Sequence, residues 1–343
     1  MRTQVRNCMI GLWLIAVPLA GAMQPMAVCA QTQSTVPRQP TSYEAHQERI
    51  NAWTVGLAAG RIEGAPLRLA AEIARVVDDG PNMAVLPIVT RGPTENVNDL
   101  LYLRGVDLAI INADVLEEYR SEFPDIRHHI VSLVNLFPSE LHVLVRPEVQ
   151  SLQDLTGKKV NFNTPGTAAA YSGPLMFSRL GIDVDKTFIP HQVALQQLRK
   201  GENGMAAVVF ITAKPVEAFT HGAWEPGFRF LPVPYNSTFE DYYIPATLEH
   251  ADYPAFLKSG ERIPTVAVPT ALVAYNWPAG SNRYQRVARF VDSLFSRVDR
   301  LRTPGFDPQW RTLNIDAPVP GLSRFAPAQE WLERNSRRAQ VKP

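Results

Sequence analysis

What most limits the fold of this chain is an alternation of two hydrophobic periods. Residues 52–56 read as a strand. From residue 65 to 77 leucine, alanine, isoleucine and valine recur at helical spacing, and Asp78-Asp79-Gly80 closes the run. Residues 83–89 form a second strand, 97–102 a helix, and 106–112 a third strand with little polar alternation. Strands without a polar side must be buried on both faces, so this order specifies a parallel sheet covered by helices. The grammar then returns, with strands at 141–146 and 160–162, a helix from about 169 to 180, a strand near 187–190, a helix at 194–199 and an apolar strand at 205–211. No internal sequence repeat accompanies it. Residues 262–276 are extended and β-branched. Residues 283–300 make an amphipathic helix with Val287, Phe290, Val291, Leu294 and Phe295 on one face. The proline- and aromatic-rich tail, 304–343, is expected to wrap the surface and end in a short helix at 327–335.

The N-terminus sets an expected compartment. Arg2 and Arg6 precede an apolar run from Met9 to Ala22, and Val28-Cys29-Ala30 places small residues where a signal peptidase reads. Cleavage is expected before Gln31, which makes the mature protein an exported, periplasmic one. The run is short and interrupted by Pro18 and Pro25, which disfavours a membrane anchor, and Val28 before Cys29 is a poor lipidation signal. Both cysteines, Cys8 and Cys29, fall in the removed segment, so no disulfide or thiolate chemistry is expected. Removing Arg2 and Arg6 takes 34 Lys+Arg to 32 against 33 Asp+Glu, a charge of −1 that gives no reason to expect nucleic acid as a partner. Residues 31–40, polar with two prolines, read as a disordered leader.

Catalytic constellations are thin. The chain has no G-x-S-x-G, no H-E-x-x-H and no G-x-x-x-x-G-K. His128 and His129 are adjacent rather than one helical turn apart, and His142 and His191 lack a partnering carboxylate in sequence, though the fold could supply one. No enzyme activity, metal or cofactor is called for. One stretch does suggest binding. In VNFNTPGTAAA, residues 160–170, an apolar strand stops at Thr-Pro-Gly-Thr and gives way to alanines. Such a turn is either a plain connector or a small, hydroxyl-bearing approach to a helix N-terminus whose N–H groups hold an anion.

Four stretches, in order, resemble the TAXI-type extracytoplasmic solute receptors of TRAP transporters: NVNDLLYLRGVDLAIINADV (96–115), HVLVRPEVQSLQDLTGKKVNFNTPGTA (142–168), FITAKPVEAF (210–219) and YIPATLEHADYP with IPTVAVPTALV (243–273). The resemblance spans about residues 53–300. It implies an α/β, two-lobed type II periplasmic-binding fold with parallel or mixed sheets and a ligand cleft between the lobes. Residues 46–141 with 265–343 would form lobe 1, residues 142–264 lobe 2, and residues 31–45 a flexible leader. It further implies a small carboxylate or amino-acid-like solute and delivery to membrane permease subunits of a TRAP-type transporter; the residues leave the oligomeric state open, with a monomer expected. A sensory receptor on the same fold, or an enzyme, stays open from the residues alone.

In such a receptor the turns at the carboxyl ends of the strands face the cleft. The candidate ligand contacts are therefore Gly60, Arg61 and Glu63 after the first strand; Thr90, Gly92 and Asn96 after the second; Asn112 and Asp114 after the third; Thr164, Gly166 and Thr167 in the Thr-Pro-Gly-Thr turn; and Thr212 and Lys214 after the strand ending at Ile211. The bland readings are a helix cap by Thr94, a capping role for Asp114 and solvated loops for Arg61 and Lys214. Two departures from the family pattern stand out. AAGRIEGAPLR, 58–68, replaces most of a glycine-rich loop, which should reshape one cleft wall. Gly173-Pro174 falls inside an expected helix, implying a kink or a later start capped by Ser172.

Overall fold

The two parallel units foreseen in the sequence are halves of one sheet. The structure, a computed structural model, describes residues 41–62, 64–220 and 224–341, with side chains as far as Arg337. The expected signal peptide and residues 31–40 of the leader lie outside the described residues, and the chain is already helical from Ser42. In order it forms α1 (Ser42–Ala52), β1 (Thr54–Gly60), α2 (Ala65–Val77), β2 (Ala84–Val89), α3 (Pro93–Tyr102), β3 (Leu108–Asn112), α4 (Ile126–His129), β4 (Ile130–Val145) and β5 (Lys159–Asn161). There follow α5 (Ala168–Arg179), β6 (Asp185–Thr187), α6 (His191–Lys200), β7 (Met205–Thr212), α7 (Glu217–Thr220), β8 (Arg229–Phe230), β9 (Ile244–Glu249), β10 (Arg262–Tyr275), α8 (Asn282–Leu301) and α9 (Ala326–Val341).

The main strand order is β2-β1-β3-β10-β4-β7-β5-β6, with β8 on β4 and β9 on β10. β1, β2 and β3 are parallel to one another, as are β5, β6 and β7. Between these units run two long antiparallel strands. The second half of β10 pairs with β3 and its first half with β9, while β4 pairs with β10 over its first part and with β7 from Glu140 to Val145. Both strands thus cross from one parallel unit to the other, which is the two-lobed type II architecture. The β4–β10 ladder has register shifts at Thr270/Ala271 and Leu272/Val273. Such shifts bend and twist a ladder locally.

One apolar core, under α2, α8 and the tail, joins Leu57, Ile73, Ile110, Phe290 and Trp310 and serves the first unit. Another, with Leu198, Val208, Phe219 and Phe230, serves the second. The third is shared: Val97 and Ile111 of the first unit belong to the same cluster as Phe162 and Phe177 of the second. The lobes are therefore packed against each other across a continuous buried seam.

Several expectations need correction. β4 is a single strand of 16 residues rather than a short one starting at Leu141. α9 runs well beyond the expected short helix. Pro174 does not delay α5, which begins at Ala168 with Thr167, not Ser172, as its N-cap. Gly173 has a packing reason: a Cβ there would lie 2.4 Å from the Phe162 ring, so glycine lets the helix settle onto the end of β5. The cap of α3 is Gly92, followed by Pro93, and not Thr94.

Candidate ligand-binding cleft

Two turns from opposite lobes meet at the seam. After β2 the chain passes through Thr90 to Gly92, the N-cap of α3, at φ 139°. After β5, Asn163 at φ 63° and Gly166 at φ 88° bend it into Thr167, the N-cap of α5. A Cβ on Gly92 would fall 2.4 Å from the Gly166 carbonyl oxygen and 3.3 Å from Thr167 Cα. No side chain fits there, so glycine is required on steric grounds as well as for its φ. Beside this contact Arg61 donates from Nη1 to Thr164 Oγ1 at 3.1 Å, a bond from the first lobe to the second.

The N-termini of α3 and α5 are thereby brought together. Each carries unsatisfied N–H groups and about half a positive charge from its aligned peptides. Arg61 and Arg91 lie in the same turns, Arg91 partly neutralised by Glu95 at 3.1 Å. Glu95 stands in the first turn of α3, and the two helix ends would each favour a negative group placed between them.

Several sequence candidates turn out to be engaged in the fold itself. Asn96, fully buried, donates from Nδ2 to the Ala59 and Ile110 carbonyls at 3.0 and 2.7 Å and accepts from the Thr90 hydroxyl at 2.5 Å. All its hydrogens are used in tying α3 to β1 and β3. Thr167 Oγ1 donates to the Thr164 carbonyl at 2.8 Å and accepts from Ala170 N–H at 3.3 Å, so it is first of all a cap. Asn112 donates to Thr270 Oγ1 at 3.3 Å. The Lys214 ammonium is held by Asp252 at 2.8 Å and the Thr247 carbonyl at 2.6 Å. Thr212 closes β7 opposite Glu140, and Gly60 closes β1, its carbonyl accepting from Thr90 N–H at 3.0 Å. Glu63 lies outside the described residues.

Asp114 differs from these. It has no solvent exposure, accepts from the Tyr243 hydroxyl at 3.0 Å through Oδ2, and leaves Oδ1 without a hydrogen bond. Burial raises its carboxyl to about 6 against the opposing help of Ser172 and Tyr243. Ser172, on α5, is equally buried, and its hydroxyl sits beside that carboxyl without making a well-formed hydrogen bond. Sequence reading considered Ser172 only as a cap and missed Tyr243, because nothing local marks residues from other elements that converge on Asp114.

His142 and His191 are structural. His142, fully buried among Phe219, Phe230 and Tyr253, has Nδ1 2.9 Å from the Glu140 carbonyl and Nε2 2.7 Å from the Tyr253 hydroxyl. That hydroxyl also accepts from Val216 N–H at 2.9 Å, so it donates to Nε2 and the proton sits on Nδ1. Burial lowers His142 to about 4. His191 is stacked on Phe210 with centroids 3.5 Å apart and is likewise lowered to about 4 by burial, helped by the nearby charge of Arg61. Among the described residues no group of His, Cys, Asp and Glu is arranged to hold a metal.

The sequence from residue 57 to 285 matches the model of the NMT1-like family, and the chain belongs to that family. No curated protein matches it. Among solved structures it is similar to a variant of ArgBP from T. maritima (14% identity, TM-score 0.42, covering 75% of this chain and 94% of that one). It is also similar to the effector-binding domain of a BenM variant (13%, 0.41, 71% and 95%). The periplasmic domain of B. pertussis BvgS is a third such structure (14%, 0.38, 88% and 49%).

Proposed function

We propose that this protein is an exported solute receptor that closes its two lobes on a small carboxylate or amino-acid-like solute and hands it to a TRAP-type membrane permease. The observation that carries the reading is the meeting of two helix N-termini from opposite lobes, capped by Gly92 and Thr167. Two positive helix ends and Arg61 gain from an anion between them, and only a closed arrangement lets one anion face both. In this reading the first lobe comprises residues 46–141 and 265–343, the second 142–264, and the mature chain begins in the periplasm near Gln31. Membership of the NMT1-like family supports a ligand-binding role, and the resemblance of four stretches to TAXI-type receptors is the ground for naming a permease as recipient.

The test is a melting-temperature screen of the purified protein against small mono- and dicarboxylates and their uncharged amides. A rise with a carboxylate but not with its amide, reduced in Arg61→Ala, is expected. Equal response to acid and amide would refute the anion site.

A further inference from the structure

Asp114 and Ser172 lie on opposite sides of the seam, one just after β3 and the other in the second turn of α5. Both are wholly buried, yet Asp114 Oδ1 and Ser172 Oγ are left without a hydrogen bond. Buried polar atoms in folded proteins almost always have partners, and a buried carboxylate oxygen without one is costly. The neighbours meet this need only in part, Ser172 lying beside the carboxyl without a well-formed bond to Oδ1. Tyr243 serves only Oδ2, and the Arg179 guanidinium is turned to the Thr238 carbonyl at 2.7 Å and lies over the Tyr242 and Tyr243 rings. A donor placed between them would satisfy both oxygens, and a cationic donor would gain from the carboxylate as well.

We infer that Asp114 and Ser172 form the subsite for a protonated amine of the bound solute, which joins the lobes by meeting one acceptor from each. This rests on the receptor reading above and adds the second end of the ligand. Ser172 lies five residues beyond the Thr167 cap, so the two subsites are separated by roughly 7.5 Å along the axis of α5. An amine several bonds from the carboxylate spans that gap better than an α-amino acid does. Burial, which holds the Asp114 carboxyl at about 6, still leaves it mostly ionised at neutral pH and ready for a cation.

Calorimetry of the purified protein with two matched pairs, 5-aminopentanoate against pentanoate and L-glutamate against glutarate, tests the subsite. The amine-bearing member should bind at least tenfold more tightly in each pair, with 5-aminopentanoate gaining more. Asp114→Asn, which keeps shape but removes charge, should erase that advantage while leaving the binding of pentanoate and the folded melting temperature intact. Ser172→Ala should reduce the advantage several-fold. Equal affinities within each pair would overturn the amine subsite and leave the anion receptor standing. Silence from all four compounds would overturn both.

Discussion

Replacing His142 by phenylalanine should change how stability depends on pH far more than it changes stability at neutral pH. The imidazole titrates near 6.5 when unfolded and about 4 when folded, so between these values the unfolded chain holds the extra proton. Stability from this group therefore falls as pH falls. From about pH 7.5 to 5 the loss is RT ln[(1+10^1.5)/(1+10^−1)], about 2 kcal/mol. Glu140, on the same strand, runs the other way. Burial raises its carboxyl from 4.5 to about 7, so the folded state holds the extra proton and acidification stabilises it by a similar amount, again about 2 kcal/mol. The natural protein should then show a rather flat contribution from this region, and His142→Phe should gain about 2 kcal/mol relative to it on acidification. The lost bond to Tyr253 lowers stability at every pH and drops out of the comparison. Urea unfolding of both proteins across this range is the assay. Parallel pH profiles would refute the claim that the histidine is held neutral by burial.

Two substitutions probe the seam itself. Gly92→Ala places a Cβ 2.4 Å from the Gly166 carbonyl, so closure must give way by roughly 1 Å; scattering should report a larger radius, and solute affinity should fall about tenfold or more, a penalty of at least about 1.4 kcal/mol, whereas unchanged radius and affinity would contradict the contact. Thr167→Ala removes a helix cap and should lower stability by about 1 kcal/mol even without solute, visible as a melting temperature about 2–4 °C lower; an unchanged melting temperature would show that the hydroxyl is not used as a cap.

Much of the frame was legible because its signals are local. α2 begins and ends where its apolar spacing and the Asp-Asp-Gly stop place it, and β7, β10 and α8 agree with the reading to within a residue or two. β4 was only half legible. Ser132, Asn135, Ser139 and Pro138 break its apolar run, yet Pro138 stands opposite Pro269, so the missing N–H groups of two prolines share one position in the ladder. That compensation lies 131 residues away in sequence. α1 was hidden for another reason: it has no buried residue and therefore no apolar stripe, and its sequence mark is the Thr41/Glu44 capping box. At the site, position at a strand end located the turns that meet, but not the use of each side chain. Asn96 and Lys214 look like ligand contacts in sequence because their carbonyl and carboxylate partners come from other strands and loops.

The central claim is that a carboxylate between the ends of α3 and α5 holds the lobes together. Small-angle scattering with and without the best carboxylate from the screen tests it most directly, with Gly92→Ala as the control that cannot close. The account predicts a smaller radius of gyration on saturation in the natural protein and little change in the control. The same radius in the natural protein at saturating, independently measured binding would contradict it.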